Sequence, residues 1–316
     1  MTEVAMAITL NTLAIVIVAF LISNIVLSIA SSLLAQKFLS LQVASRKFLL
    51  WFIVLLPWIV AFSMGFYFSN SYLTSSALEY SHWHHMTIFE WYSWHGASLI
   101  MAAIYTLYVL LKKTLQVLSH KQEISVLTEL SSNLGNGVYE IESPEGSAFT
   151  TGFFNKKCFI TSGLISKITK EELAVVIAHE KAHADNNDPF KKWMFSLFSS
   201  FFIAPVAARL NLHLTLAIEQ DADNAVIDAH KTSTFIAGTL VKIARLNAKR
   251  LPVSDNELVV NFGADVLEQR VYFLLGNLKL KPLNKVAAMF SVSLILLACF
   301  SSIDGIHHLI EKIFSH

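Results

Sequence analysis

Long apolar runs without charge alternate with one polar block along this chain. The first run, 4–35, holds no charged residue. About twenty apolar residues suffice to cross a bilayer, so the run predicts a membrane helix. It lacks the basic start and small-residue cleavage site of a signal peptide, and a retained helix is expected. Lys37, Arg46 and Lys47 follow it. A second run, 48–68, contains Pro57, which membrane helices tolerate. The segment 69–92 carries Glu79 and Glu90 but no Lys or Arg. A third run, 93–111, ends on Lys112 and Lys113, and a fourth, 286–303, is preceded by Lys279, Lys281 and Lys285.

Positive charge marks the cytoplasmic side of a membrane segment. If the four runs alternate, the basic clusters at 37–47, 112–121 and 279–285 all fall on one side. The N-terminus, the 69–92 loop and the C-terminus are then external. Three regions follow: a membrane region 1–113 with three spans, a cytoplasmic block 114–285, and a last span with a short tail, 286–316. Composition agrees, with 54% hydrophobic and 15% charged residues. Ordinary globular domains run at about 45–50% and about 25%, so the excess apolar surface needs lipid. The formal net charge of +1 argues against direct nucleic-acid binding driven by charge. Two cysteines, Cys158 and Cys299, cannot build a disulfide framework.

The cytoplasmic block carries the chemistry. Ser143-Pro144-Glu145-Gly146 is a turn signal. The β-rich stretch 153–160 predicts a strand. Thr169-Lys170-Glu171-Glu172 fits a capping box and predicts a helix start. Within that helix lies His179-Glu180-Lys181-Ala182-His183. His179 and His183 are four residues apart and project from one helical face. Two neutral imidazoles suit zinc, whose catalytic sites keep three protein ligands and one open position. Glu180, next to the first imidazole, can take the proton of a water in that position. Alone, the pair also fits a helix surface with two solvated histidines. Cys158 reads as a small core residue, since a fourth protein ligand would close the open position.

A third ligand is expected downstream, and Glu219-Gln220-Asp221-Ala222-Asp223 supplies it. Glu219 and Asp223 share a face, so Glu219 can bind the metal while Asp223 orients a ligating imidazole. The stretch 193–218, between His183 and Glu219, is apolar, with Arg209 its only charge and Pro205 in its middle. Both ends must reach one metal, so a single crossing is forbidden, and the stretch is too short for two. It is expected to form a hairpin bent at Pro205. The hairpin is re-entrant or interfacial, or else a soluble hairpin packed on the catalytic helices.

These residues resemble a gluzincin-type integral-membrane zinc metallopeptidase. H-E-K-A-H, Asp188 five residues later and E-Q-D-A-D carry the resemblance. Two groups share it. The BlaR/MecR antirepressor family is first choice, on three spans before the block and one after, the 36-residue interval from His183 to Glu219, and Phe201-Phe202-Ile203-Ala204-Pro205. The Ste24/HtpX-like group is second, because Ala222 before Asp223 matches its motif better. After the last span only 304–316 follows, too little for a penicillin-binding sensor domain, so direct beta-lactam sensing through one is not expected. The resemblance implies that Asp188 supports the zinc helix rather than binding metal. It implies that strand 153–160 is an edge that accepts an extended substrate, or an ordinary sheet strand. It places Arg270 where related families carry a basic residue, stabilising an oxyanion or binding a structural carboxylate. His213 and His230 are weaker oxyanion donors.

The expected fold is therefore a mainly α membrane protein, with four transmembrane helices and a cytoplasmic α+β zincin-like metallopeptidase domain. The expected function is a zinc endopeptidase of the bacterial inner membrane with its site facing the cytoplasm. Its partners are the lipid bilayer and a protein or peptide substrate, with a cytoplasmic transcriptional repressor or the chain itself as candidates. His82-Trp83-His84-His85, with His95, forms an external interfacial belt or a metal- or pH-sensing patch. His307, His308 and His316 are too scattered for a site. A non-catalytic membrane receptor or scaffold that keeps the fold is the alternative. A solute transporter is disfavoured, because Arg209 is the one charge deep in an apolar stretch.

Overall fold

A computed structural model describes residues 2–73, 88–228, 232–248 and 257–314. Three long helices come first: α1 (Thr2–Leu39), α2 (Val43–Leu73) and α3 (Trp94–Glu129). All three contain stretches long and apolar enough to cross a membrane, with mean hydropathies of 2.8, 2.2 and 1.5. Pro57 lies inside α2 without ending it. The third helix runs well past its expected end at Lys113, because 112–129 contains no glycine or proline to break it. The C-terminal end of α3 thereby becomes part of the block that follows.

That block opens with four short strands, β1 (Ser131–Gly135), β2 (Val138–Ile141), β3 (Ala148–Thr151) and β4 (Lys157–Thr161). They form one sheet in the order β1-β2-β4-β3. The β1–β2 hairpin turns on Asn136-Gly137, both at positive φ, the residue pair that tight hairpins favour. The chain then crosses over, so that β4 lies parallel to β2 and antiparallel to β3.

This arrangement corrects the expectation for 153–160. The strand begins at Lys157, and it is interior rather than an edge. Residues 152–156 are the turn joining β3 to β4, opened by Gly152 at φ 97°. A Cβ there would stand 2.3 Å from the Asn155 carbonyl oxygen. Phe153 and Phe154 resemble strand residues in composition, but Phe153 packs on Phe190 and Trp193, and Phe154 is 93% exposed. The free edge next to the helices belongs to β3.

Helical elements complete the fold: α4 (Ser162–Ile165), α5 (Lys170–Asp185), α6 (Asp188–Ser199), α7 (Ala204–Asp228), α8 (Ser233–Ala248), α9 (Glu257–Leu274) and α10 (Lys285–Phe314). Thr169 caps α5 as expected. Its hydroxyl accepts from the Glu172 N–H (3.2 Å), and the Glu172 carboxylate accepts from the Thr169 N–H (2.7 Å). α5 packs its Val176 against Val138, Cys158 and Ile160 of the sheet.

Helices α6 and α7 form a hairpin that turns at 200–203, with Pro205 in the first turn of α7. Its apolar faces pack on the membrane helices. Phe195, Phe202, Val206, Leu210, Leu214 and Ile218 share one core with Leu27 of α1 and with Leu50, Val54 and Val60 of α2. Apolar burial of this kind stabilises by about 25 cal/mol per Å². Within α10 the apolar stretch Lys285–Cys299 is shorter than the three spans above.

The α5 cap yields a stability prediction. Thr169→Ala should cost about 1 kcal/mol at neutral pH, read by thermal unfolding in detergent. Burial pushes the Glu172 carboxyl upward, but Lys242 and the Thr169 N–H outweigh it and hold the group below its ordinary value. Its stabilisation is complete above the ordinary carboxylate range and fades as pH falls through the lower folded-state value. Glu172→Gln should thus destabilise at pH 7 and match the parent in strong acid. Equal stability at pH 7 would remove the cap from the account.

Candidate metal centre

Two turns of α5 carry His179 and His183, their rings perpendicular with centroids 4.7 Å apart. Both are buried, as is Glu180 between them. From α7 comes Glu219. Its Oε2 lies 3.3 Å from His179 Nε2 and 3.6 Å from His183 Nε2, and the two Nε2 atoms are 3.2 Å apart. One ligating atom from each of the three residues falls within 4.8 Å of the others, a spacing that can hold a metal ion.

The outer nitrogens of the imidazoles are occupied. His183 Nδ1 meets Asp188 Oδ2 at 2.8 Å, and His179 Nδ1 meets Asp223 Oδ1 at 3.1 Å. In a neutral imidazole, an Nδ1–H donated to a carboxylate leaves the lone pair on Nε2, the state a metal requires. Local geometry places Asp188. Asn187 takes a left-handed conformation, φ 56°, which asparagine tolerates better than most residues. The chain turns sharply there, and the first residue of α6 returns beneath His183. Asp223 is placed by helical spacing, four residues after Glu219 on the same face of α7.

Arg270 of α9 binds Asp223 at both oxygens, through Nη2 (2.7 Å) and Nε (2.9 Å). Its Nη1 lies 3.2 Å from Glu219 Oε2. Of the two roles open to it in the sequence, its position is that of a carboxylate partner. Lys192 of α6 adds a second cation, 3.1 Å from Glu219 Oε1. The sequence offered no signal for Lys192, because the α6–α7 turn that brings it back is a tertiary event.

Charge in the cluster follows from these contacts. Burial pulls the His183 imidazole down, but hydrogen bonds to Asp188 and Glu219 carry it up to about 9. His179 is likewise lowered by burial and raised overall by Asp223 and Glu219. Burial raises the Glu219 carboxyl, yet His179, His183, Lys192 and Arg270 hold it well below its usual range. Carboxylates that draw protons onto two buried imidazoles also draw a metal cation to the same point. Two imidazole nitrogens and one carboxylate oxygen, with solvent-side space left over, fit zinc in donor type and number.

A cleft of about 940 Å³ opens over the cluster, lined by Glu180, Arg270, Phe149 and Thr150 of β3, and His120 and Ile124 of α3. The Thr150 hydroxyl donates to the Glu180 carbonyl oxygen (2.7 Å), fixing the β3 edge to α5. His120 Nε2 lies 2.6 Å from Thr151 Oγ1, and both residues line the cleft. His213 is elsewhere, its ring against Phe38 of α1, so the expectation of an oxyanion donor there does not hold. His230, Glu79, His82 to His85 and His316 lie outside the described residues, and His95 stacks on Trp94. Cys158 is a core residue of β4, its thiol pushed up to about 12, chiefly by burial.

Comparison with known proteins agrees with this centre. Residues 111–254 match the model of Peptidase family M48. The chain is also similar to a protease HtpX homolog of Janthinobacterium sp. (strain Marseille), 26% identical over 106 residues. That match covers 32% of this chain and spans 37% of the relative's length. Residues 111–254 are thus similar to peptidase family M48, a match over less than half of the chain. Of the two groups the sequence resembles, the Ste24/HtpX-like one, placed second on layout, is the one these matches support. Ala222, fully buried before Asp223, is the residue that had pointed to it.

Asp188→Asn, which keeps the shape of the contact but removes its charge, should weaken metal binding by roughly 10- to 100-fold. Competition against a chromophoric chelator measures this. An unchanged dissociation constant would show that Asp188 does not support His183.

Proposed function

We propose that this protein is a membrane-bound zinc endopeptidase whose site faces the cytoplasm. The observation that carries the reading is the convergence of His179, His183 and Glu219 beneath a cleft that also holds Glu180. The family M48 match supports a metalloprotease. α10 serves as a fourth span in this reading. The basic clusters at the ends of the apolar runs support the orientation. So does the meeting of the α1–α2 link with the segment before α10, where Gln42 N–H donates to the Lys281 carbonyl (2.9 Å) and Lys281 N–H to that of Ser40 (2.8 Å).

Bound zinc would supply Lewis acidity, polarising the scissile carbonyl and acidifying a water. His179, His183 and Glu219 would hold it, with Asp223 and Asp188 fixing the imidazoles. Glu180 takes the proton of the attacking water as the oxygen joins the carbonyl carbon. The carboxyl then returns the proton to the leaving nitrogen as the C–N bond breaks. Arg270 keeps Glu219 and Asp223 ionised and in place. The β3 edge at Ala148–Thr151, rather than 153–160, receives the substrate as an added strand. Regulatory cleavage, of a cytoplasmic repressor or of the chain itself, is the physiological role that we attach to this chemistry.

Glu180→Gln is the test. The purified variant should retain about one zinc per chain and lose about 10²- to 10⁴-fold in cleavage of casein. Unchanged cleavage with zinc bound would remove Glu180 from the mechanism. Folded parent protein that takes up no zinc would select the non-catalytic receptor instead.

A further inference from the structure

The basic pair at the start of α2 reads in the sequence as topological charge alone. The fold gives it other partners. Arg46 is fully buried. Its Nη2 donates to Gln220 Oε1 at 2.9 Å and to the Leu41 carbonyl at 3.3 Å. Lys47 forms an ion pair with Asp221. Two successive residues of α2 thus hold the two successive residues of α7 that follow the ligand Glu219. Gln220, itself fully buried, also reaches the Gln269 carbonyl on α9 through a long 3.5 Å contact. The residue after Gln269 is Arg270, which binds Glu219 and Asp223.

Helix α7 needs such a device. Its packing on α2 is apolar, through Leu210, Leu214 and Ile218, and apolar contact is non-directional. Successive helical residues are 100° apart, so Gln220 and Asp221 leave the helix away from the face that carries Glu219 and Asp223. A 20° rotation of α7 would move a carboxylate roughly 6 Å from the axis by about 2 Å. A displacement of about 1 Å near a reacting centre can cost about 10²-fold in rate.

Arg46 is also costly where it stands. Its Nε and Nη1 find no hydrogen-bond partner among the described residues. A buried guanidinium without a carboxylate is a poor source of stability. Its contact with Gln220 is its one hydrogen bond to another side chain among the described residues.

We propose that Arg46 and Lys47 are positioning residues for the metal centre. They hold α7 in rotational register from the first turn of a membrane helix, so that Glu219 meets the two imidazoles. The membrane region is then a working part of the site rather than its anchor. This rests on the zinc-peptidase reading above.

The test uses the full chain in detergent, with Arg46→Met, Arg46→Lys and Lys47→Ala. The readouts are the zinc dissociation constant by chelator competition and kcat and KM on a fluorogenic casein. In Arg46→Met and Lys47→Ala, zinc binding should weaken roughly tenfold or more, and kcat should fall with KM unchanged. Arg46→Lys, which keeps one donor for Gln220, should recover most of the loss. The half-exposed Lys47 pair gives a variant that folds even if Arg46→Met does not. Zinc affinity and kcat within twofold of the parent, whatever happens to the unfolding temperature, would overturn the proposal. A parent protein that binds no zinc would overturn the peptidase reading and this proposal with it. Parent-level zinc in the variants would overturn this proposal alone.

Discussion

A single point in space must be reached by side chains from two helices that are joined through an apolar hairpin. His179 and His183 arrive on α5, and Glu219 arrives on α7 after the chain has run out along α6 and back. The out-and-back path keeps both ends on one side. The apolar faces of the hairpin must then be covered, and α1 and α2 cover them. The apolar helices α1 and α2 and the candidate metal centre are therefore joined by one continuous core. It includes Leu27, Val54 and Phe202 and extends to Ile218, the residue before Glu219.

At that end non-directional packing gives way to directional contacts. Asp188 and Asp223 orient the imidazoles, Arg270 and Lys192 balance the carboxylates, and Thr150 ties the sheet edge to α5. A site of this kind concentrates charge in a buried place, which is tolerable only where each charged group has a partner. Arg46 departs from that rule, with two guanidinium nitrogens unpaired among the described residues. It lies at the junction between membrane core and charged cluster, where a cost in stability can be exchanged for position.

Local rules carried the sequence a long way. Helical spacing set His179 beside His183 and Glu219 beside Asp223, because i and i+4 share a face in any α-helix. The capping box at Thr169 is a contact within four residues and was legible for the same reason. Three apolar runs declared themselves as candidate spans by length and hydropathy, properties that need no knowledge of the fold. The same reasoning failed at 153–160. There β-rich composition could not separate a strand from an aromatic turn, and strand order is decided by pairing between distant segments. It also left two roles open for Arg270.

What the sequence by itself determined is thus the set of donors, their pairing along each helix and the apolar runs that need cover. The tertiary structure alone decided that β3 is the free edge beside α5, that Arg270 and Lys192 converge on Glu219, and that Arg46 and Lys47 reach Gln220 and Asp221 across 174 residues of chain. The physical reason is range. Periodicity and capping act within a few residues, whereas these contacts depend on how α2, α6, α7 and α9 pack, and packing is settled only when the whole core closes.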